Sequence, residues 1–347
     1  MFRTLGFVIL AAGISVAAAQ TMPAEPSTGT AQGPAPTFAT AEALAHEGHL
    51  DAAMAELNQL AAETPVPAGV ERLRGIIFYQ KNEFSEAIDA FTKAEAQDPK
   101  DRESIEMHGV TLFRLGHVPE AIPYLERART SVESANIDPN YVLALCYADV
   151  QRYDDSRRAF AAQFGFAPDS AQAYLLAGRM FLRRELRDEA AVQAEKALGL
   201  DPKLPLAHEL LGEVALARGD ATGAIRELEA ERQINPMEPS LYDRLGDAYV
   251  RNGQYTEAQV ALNRAVLLEP NATGPFILLG ETLLKLNQPI EALHYLVHAV
   301  HMDPSNYVTH NLLGQAYRAV GDRLAAGQEF KTAVELQHQG DPKPTGK

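Results

Sequence analysis

Three histidines, His294, His298 and His301, fall at i, i+4 and i+7, so on a helix they share one face. Neutral imidazoles one turn apart can chelate Zn, Cu or Ni, and His310 follows in the next segment. No carboxylate or thiol has a place in that group, and the plainer reading is a polar stretch of helix facing solvent. His46-Glu47-Gly48-His49 sets its second imidazole one residue too early for H-E-x-x-H, where the two ligands must stand one helical turn apart. Gly48 makes it read as a loop. Cys146 is the single cysteine, which excludes an internal disulfide and a Cys-based zinc site. It sits in an apolar run and reads as a small buried side chain rather than a nucleophile. No G-x-S-x-G, G-x-G-x-x-G or Walker sequence occurs. Neither a catalytic centre nor a cofactor is expected, and no metal site is assigned. Asn271-Ala272-Thr273 is a glycosylation sequon, meaningful only in a host that makes that modification.

With catalysis set aside, the bulk properties narrow the partners. The net charge is -15 over 347 residues; phosphate binding needs clustered Lys and Arg, so nucleic acid is not expected. A hydrophobic share of 46% is too high for a wholly disordered chain. Residues 1–19 read as a signal peptide. Arg3 supplies the positive end, Leu5 to Val16 the apolar run, and Ala17-Ala18-Ala19 the small-residue cleavage site before Gln20. The apolar run is short for a membrane span, although an uncleaved anchor is the competing reading. The expected product is exported, periplasmic or secreted, without stable membrane insertion. Residues 20–36 are rich in Pro, Thr, Ala and Gly and read as a flexible linker, as does the tail 339–347.

The remainder keeps a strict period. Pro168, Pro202, Pro236, Pro270 and Pro304 are each 34 residues apart, as are Gly178, Gly212, Gly246, Gly280 and Gly314, and Ala190, Ala224, Ala258, Ala292 and Ala326. Upstream, Pro65 and Pro99, Gly75 and Gly109, and Ala53, Ala87 and Ala121 continue the spacing, with one residue inserted near Ser134. Nine units fill positions 34 to 340 and leave no room for a second domain.

One unit, residues 239–272, shows what the period specifies. Pro239 suits a helix start, since the first turn has no use for the missing N–H. Tyr242, Leu245, Gly246 and Tyr249 make one helix face. Asn252-Gly253 ends that helix, and a second is predicted from about Tyr255 to Leu268, burying Ala258, Leu262 and Ala265, before Pro270 blocks it. A lone pair of helices cannot bury both faces, so neighbouring units must stack.

These residues resemble the tetratricopeptide repeat, W-x2-L-G-x2-Y, then A-x3-F, then P. Units starting near 171, 205, 239, 273 and 307 match closely; those near 34, 68, 102 and 137 match in part. The unit at 137 has Ala144 for the glycine and Ser156 for the alanine, and the unit at 34 has Thr40-Ala41 for Leu-Gly. The resemblance implies an all-α, right-handed superhelical solenoid of about nine helix-turn-helix repeats spanning 37–338, with degenerate repeats over 34–170 and close ones over 171–340. It further implies that the first helices line a concave groove, and that the protein works as an interaction scaffold.

Family likeness points positions 5, 9, 12 and 13 of each unit into that groove. Those positions carry Glu209, Glu213, Asp243, Asp247 and Glu281 as a stack of carboxylates over three units. Arg179 and Arg183 flank it on one side; Asn311, Gln315 and Arg318 lie on the other, and Arg251 and Lys285 temper it. The expected ligand is a cationic or mixed-charge polypeptide segment or partner subunit, although acidic exposed positions also serve solubility alone. Two further readings stand beside the envelope scaffold: an accessory subunit of an exported enzyme or a secretion machine, and a metal-binding protein using the histidine face. Oligomeric state is open.

Overall fold

The computed structural model describes residues 37–129 and 139–340. The expected leader and linker, the insertion near Ser134 and the last residues of the tail lie outside the described residues. Those described form eighteen helices and no strand. They run as nine antiparallel pairs. The first five are α1 (Phe38–His46) with α2 (Leu50–Leu60), α3 (Val70–Gln80) with α4 (Phe84–Gln97), α5 (Arg102–Arg114) with α6 (Val118–Arg129), α7 (Pro139–Asp149) with α8 (Tyr153–Gln163), and α9 (Ala171–Arg183) with α10 (Arg187–Leu200). The other four are α11 (Ala207–Arg218) with α12 (Ala221–Ile234), α13 (Pro239–Arg251) with α14 (Tyr255–Leu268), α15 (Thr273–Lys285) with α16 (Pro289–Met302), and α17 (Tyr307–Val320) with α18 (Arg323–Gly340). Because α18 reaches Gly340, the first two residues expected in the tail are helical.

The predicted unit is reproduced at its ends. α13 begins at Pro239 and gives way to Asn252, and α14 spans Tyr255–Leu268. The turn inside every pair places one residue in the left-handed conformation, always at the same point of the unit. Gly48, Gly116, Gly219, Gly253 and Gly321 take it freely, while Asn82, Gln151, Glu185 and Asn287 take it with a side chain. The repeated glycine of the first helix serves close approach instead. A Cβ on Gly246 would lie 2.4 Å from Cδ2 of Leu262 in the partner helix, far inside van der Waals contact. Ala258, Leu262 and Ala265 complete that buried face.

The chain contains no Trp, and in the five close units the tryptophan position of the pattern is filled in two ways. Tyr174 lies under Lys196 at 5.6 Å and Tyr242 under Arg264 at 5.9 Å, while Phe276 and His298 have ring centroids 4.6 Å apart. In the pairs between and after these, His208 Nδ1 stands 2.9 Å from Glu227 and His310 Nδ1 2.6 Å from Glu329. Either device ties the start of a first helix to the middle of its second. The irregular unit also compensates internally. Ser156, in the alanine position, is fully buried and donates to the carbonyl of Ala144, in the glycine position, at 2.7 Å.

Stacking is asymmetric. Odd-numbered helices meet the next odd-numbered helix along nearly the whole array, whereas contacts between successive even-numbered helices are not appreciable. The first helices therefore form the tighter, inner wall. The apolar core is divided into clusters along the array, with one running from α5 to α11 and another from α14 to α17.

Candidate functional site

The inner wall formed by α9, α11, α13 and α15 carries the expected groove residues, and it is not an uncompensated row of carboxylates. Arg244 of α13 lies 3.0 Å from Glu209 and 3.0 Å from Glu213 of α11, and Arg179 of α9 stands 3.7 Å from Glu213. Charges thus alternate across three helices. Glu209 is only 1% exposed, so it could not remain in the wall without such a partner. Ser240 Oγ sits 2.9 Å from Glu209 and 2.8 Å from Glu238, with one proton to offer the two. Burial pushes the Glu209 carboxyl above the usual range, with Arg244 pulling the other way. The same desolvation lifts Asp243, whose Oδ1 is buried without a hydrogen-bond partner among the described residues.

A second carboxylate holds this wall from behind. Glu231 of α12 is fully buried at a place where the neighbouring units carry Ala197, Ala265 and Ala299. It accepts from the backbone N–H of Leu206 at 2.7 Å and of Glu209 at 3.4 Å. These are N–H groups at the start of α11, which no N-cap side chain satisfies, and the helix dipole favours an anion there. Glu231 therefore acts as a borrowed cap.

The remaining groove residues are arranged more loosely. Asp247 pairs with Arg251 one turn on, at 2.8 Å. Glu281 is half-buried and Lys285 exposed on α15, and neither makes an ion pair among the described residues. Arg183 is exposed at the end of α9. Gln315 donates to Asn311 at 2.7 Å. Arg318 is directed to its own second helix, 5.6 Å from the Phe330 ring. Arg244 and Glu231 escaped the sequence reading. Arg244 follows Glu209 by 35 residues and Glu213 by 31, and the same offsets recur in the Arg184–Asp149 pair and the Ser240–Glu209 contact. Opposite charges near one repeat apart were the available signal.

The other candidates have structural partners. His298 stacks on Phe276, His294 lies edge-on to Tyr295 at 5.2 Å, and His301 Nδ1 donates to the Val297 carbonyl at 2.7 Å. Among the described residues, no three His, Cys, Asp or Glu side chains are gathered closely enough to hold a metal ion. His49 sits in the turn between α1 and α2. Cys146 is fully buried, which pushes its thiol up to about 12. No helix among the described residues is long and apolar enough to cross a membrane.

Family models of the tetratricopeptide repeat match residues 239–272 and residues 38–102, 72–136 and 141–205. Together with the stacked pairs, this shows that the chain belongs to the tetratricopeptide repeat family. Similar solved structures include MamA, 23% identical over 47% of this chain and 95% of that one, with a TM-score of 0.44. MamA from Desulfovibrio magneticus RS-1 is 22% identical over 50% of this chain and 98% of its own, at 0.47. YrrB, described as a TPR protein with an unusual peptide-binding site, is 22% identical over 53% and 95%, at 0.48. No curated protein matches the sequence.

Proposed function

We propose that this chain is an exported, non-enzymatic scaffold that holds a polypeptide segment or a partner subunit of a cell-envelope assembly along its concave face. The observation that carries this reading is the Arg179–Glu213–Arg244–Glu209 charge chain. It sets the positions of three inner helices before any partner arrives, so little ordering cost falls on the scaffold. Beside it, Asp247, Arg251, Glu281 and Lys285 present both signs within two helices, which suits a mixed-charge ligand. Export rests on the leader-like residues 1–19.

Glu209 and Glu213 support the wall, so the test spares them. The chain is captured with its crosslinked partners from its own envelope fraction, as wild type and as a variant combining Asp247→Lys with Glu281→Lys. A stoichiometric partner held by the wild type and lost by the variant supports the groove. The same partners captured with both would sink it. A mature N-terminus at Gln20 in the exported fraction tests the leader.

A further inference from the structure

On the side opposite the groove, α12 and α14 stand apart over α13 and leave a cleft of about 860 Å3. Tyr242, Leu245 and Tyr249 line its floor, Val260, Leu267 and, at the edge, the exposed Glu257 its α14 side, and Glu229 and Arg232 its α12 side. Three features set this cleft apart from the rest of the outer surface.

The first is exposed apolar area. Val260 is 67% and Leu267 74% exposed, and Met237, which contacts the lining residue Arg264, is 61% exposed. Large apolar side chains gathered at one concavity mark an interaction site, whereas scattered ones do not.

The second is an arginine without an anion. Arg264 lies on α14 between Val260 and Leu267 and makes no ion pair among the described residues. Its Nη2 donates to the Met237 sulfur at 3.2 Å, and its guanidinium stands 5.9 Å from the Tyr242 ring. A thioether is a weak acceptor. The opposite wall has no such vacancy, since Glu229 takes Arg232 at 2.6 Å and the Tyr249 hydroxyl at 2.7 Å.

The third is that the combination is not a product of the repeat. The positions of Val260, Arg264 and Leu267 are taken by Arg226, Ala230 and Gln233 one unit earlier and by His294, His298 and His301 one unit later.

We propose that this cleft is a second docking surface, which takes an acidic amphipathic helix from a partner protein. Val260 and Leu267 are seven residues apart, about two helical turns or ~10 Å. A second helix laid along α14 matches that with apolar side chains at i and i+7, and a carboxylate between them reaches Arg264. The negative charge of this chain disfavours a second copy as occupant.

The test is selection of helical peptides of about sixteen residues, long enough to span the cleft, against the purified chain, followed by calorimetric titration. Selected peptides are expected to place Asp or Glu within one turn of paired apolar residues. Arg264→Glu and Leu267→Asp are each expected to weaken binding at least about tenfold. Peptides with Lys in place of the carboxylate should bind Arg264→Glu better than the wild type. Both side chains lie on the outside, and circular dichroism checks that the variants fold; Val260→Ser is the milder third variant. Binding should be unchanged in the groove variant carrying Asp247→Lys and Glu281→Lys. The proposal is overturned by selection of no acidic helical peptide, by equal binding to wild type and cleft variants, by loss of binding only in the groove variant, or by failure of the charge-swapped peptides.

Discussion

Arg244 on α13 reaches back one repeat to Glu209 on α11, with Nη1 3.0 Å from the carboxylate. Removing the arginine leaves a buried carboxylate without its cation. Arg244→Met is therefore expected to lower stability by about 2–3 kcal/mol in urea unfolding. Adding Glu209→Gln should recover part of that loss, and strictly additive losses would show that the pair is not coupled.

The turn positions offer a gain. Gln151 and Glu185 adopt φ near +61° and +63°, which glycine takes without strain. Changing either to Gly is expected to stabilise the array by up to about 1 kcal/mol. Gly246→Ala is expected to cost about 1–3 kcal/mol, because its methyl would overlap Leu262. Thermal unfolding of the three variants decides both points.

Burial raises the Asp243 carboxyl above the usual range. A carboxyl that binds its proton more tightly in the folded state carries a cost when ionised. That cost is full above the raised value and shrinks as pH falls through it towards the unfolded one. Asp243→Asn should therefore stabilise the protein at neutral pH, by less than about 1 kcal/mol given its partial exposure. The gain should fade as pH falls through the raised value and be largely gone below about pH 4. A gain that persists unchanged at low pH would show that the charge is not its source.

Cys146 is fully buried with its thiol raised to about 12. Ellman's reagent at pH 8 is expected to find no reactive thiol in the native protein and one after denaturation. Rapid native reaction would contradict this packing.

The parts of the structure that follow from spacing within one unit were legible in the sequence. The bounds of α14 and the burial of Ala258, Leu262 and Ala265 come from 3.6-residue periodicity and from where proline and glycine fall. The groove was legible only as a set of positions. Its electrostatics depend on which side chains meet across stacked helices, and a unit read alone does not contain that register. Arg244 was passed over because it stands one place beyond the groove position held by Asp243. Glu231 was passed over because its place in the unit belongs to alanine elsewhere. Its partners, the N–H groups of Leu206 and Glu209, exist only once α11 begins where it does.

The sixth and seventh pairs are joined twice over: on the inner wall by Arg244 and its carboxylates, and inside by an apolar cluster that includes Leu228 of α12 and Leu241 and Leu245 of α13. A repeat array passes cooperativity from neighbour to neighbour, as coupled spins do in a row. This joint combines two chemical kinds of link with different sensitivities. Apolar links weaken on cooling and are reinforced by excluded salts, whereas exposed parts of an ionic link are screened by any electrolyte. Cooling weakens the apolar part of this joint and leaves its ion pairs, while salt screens the ion pairs and leaves the apolar part, so neither condition alone parts the sixth pair from the seventh.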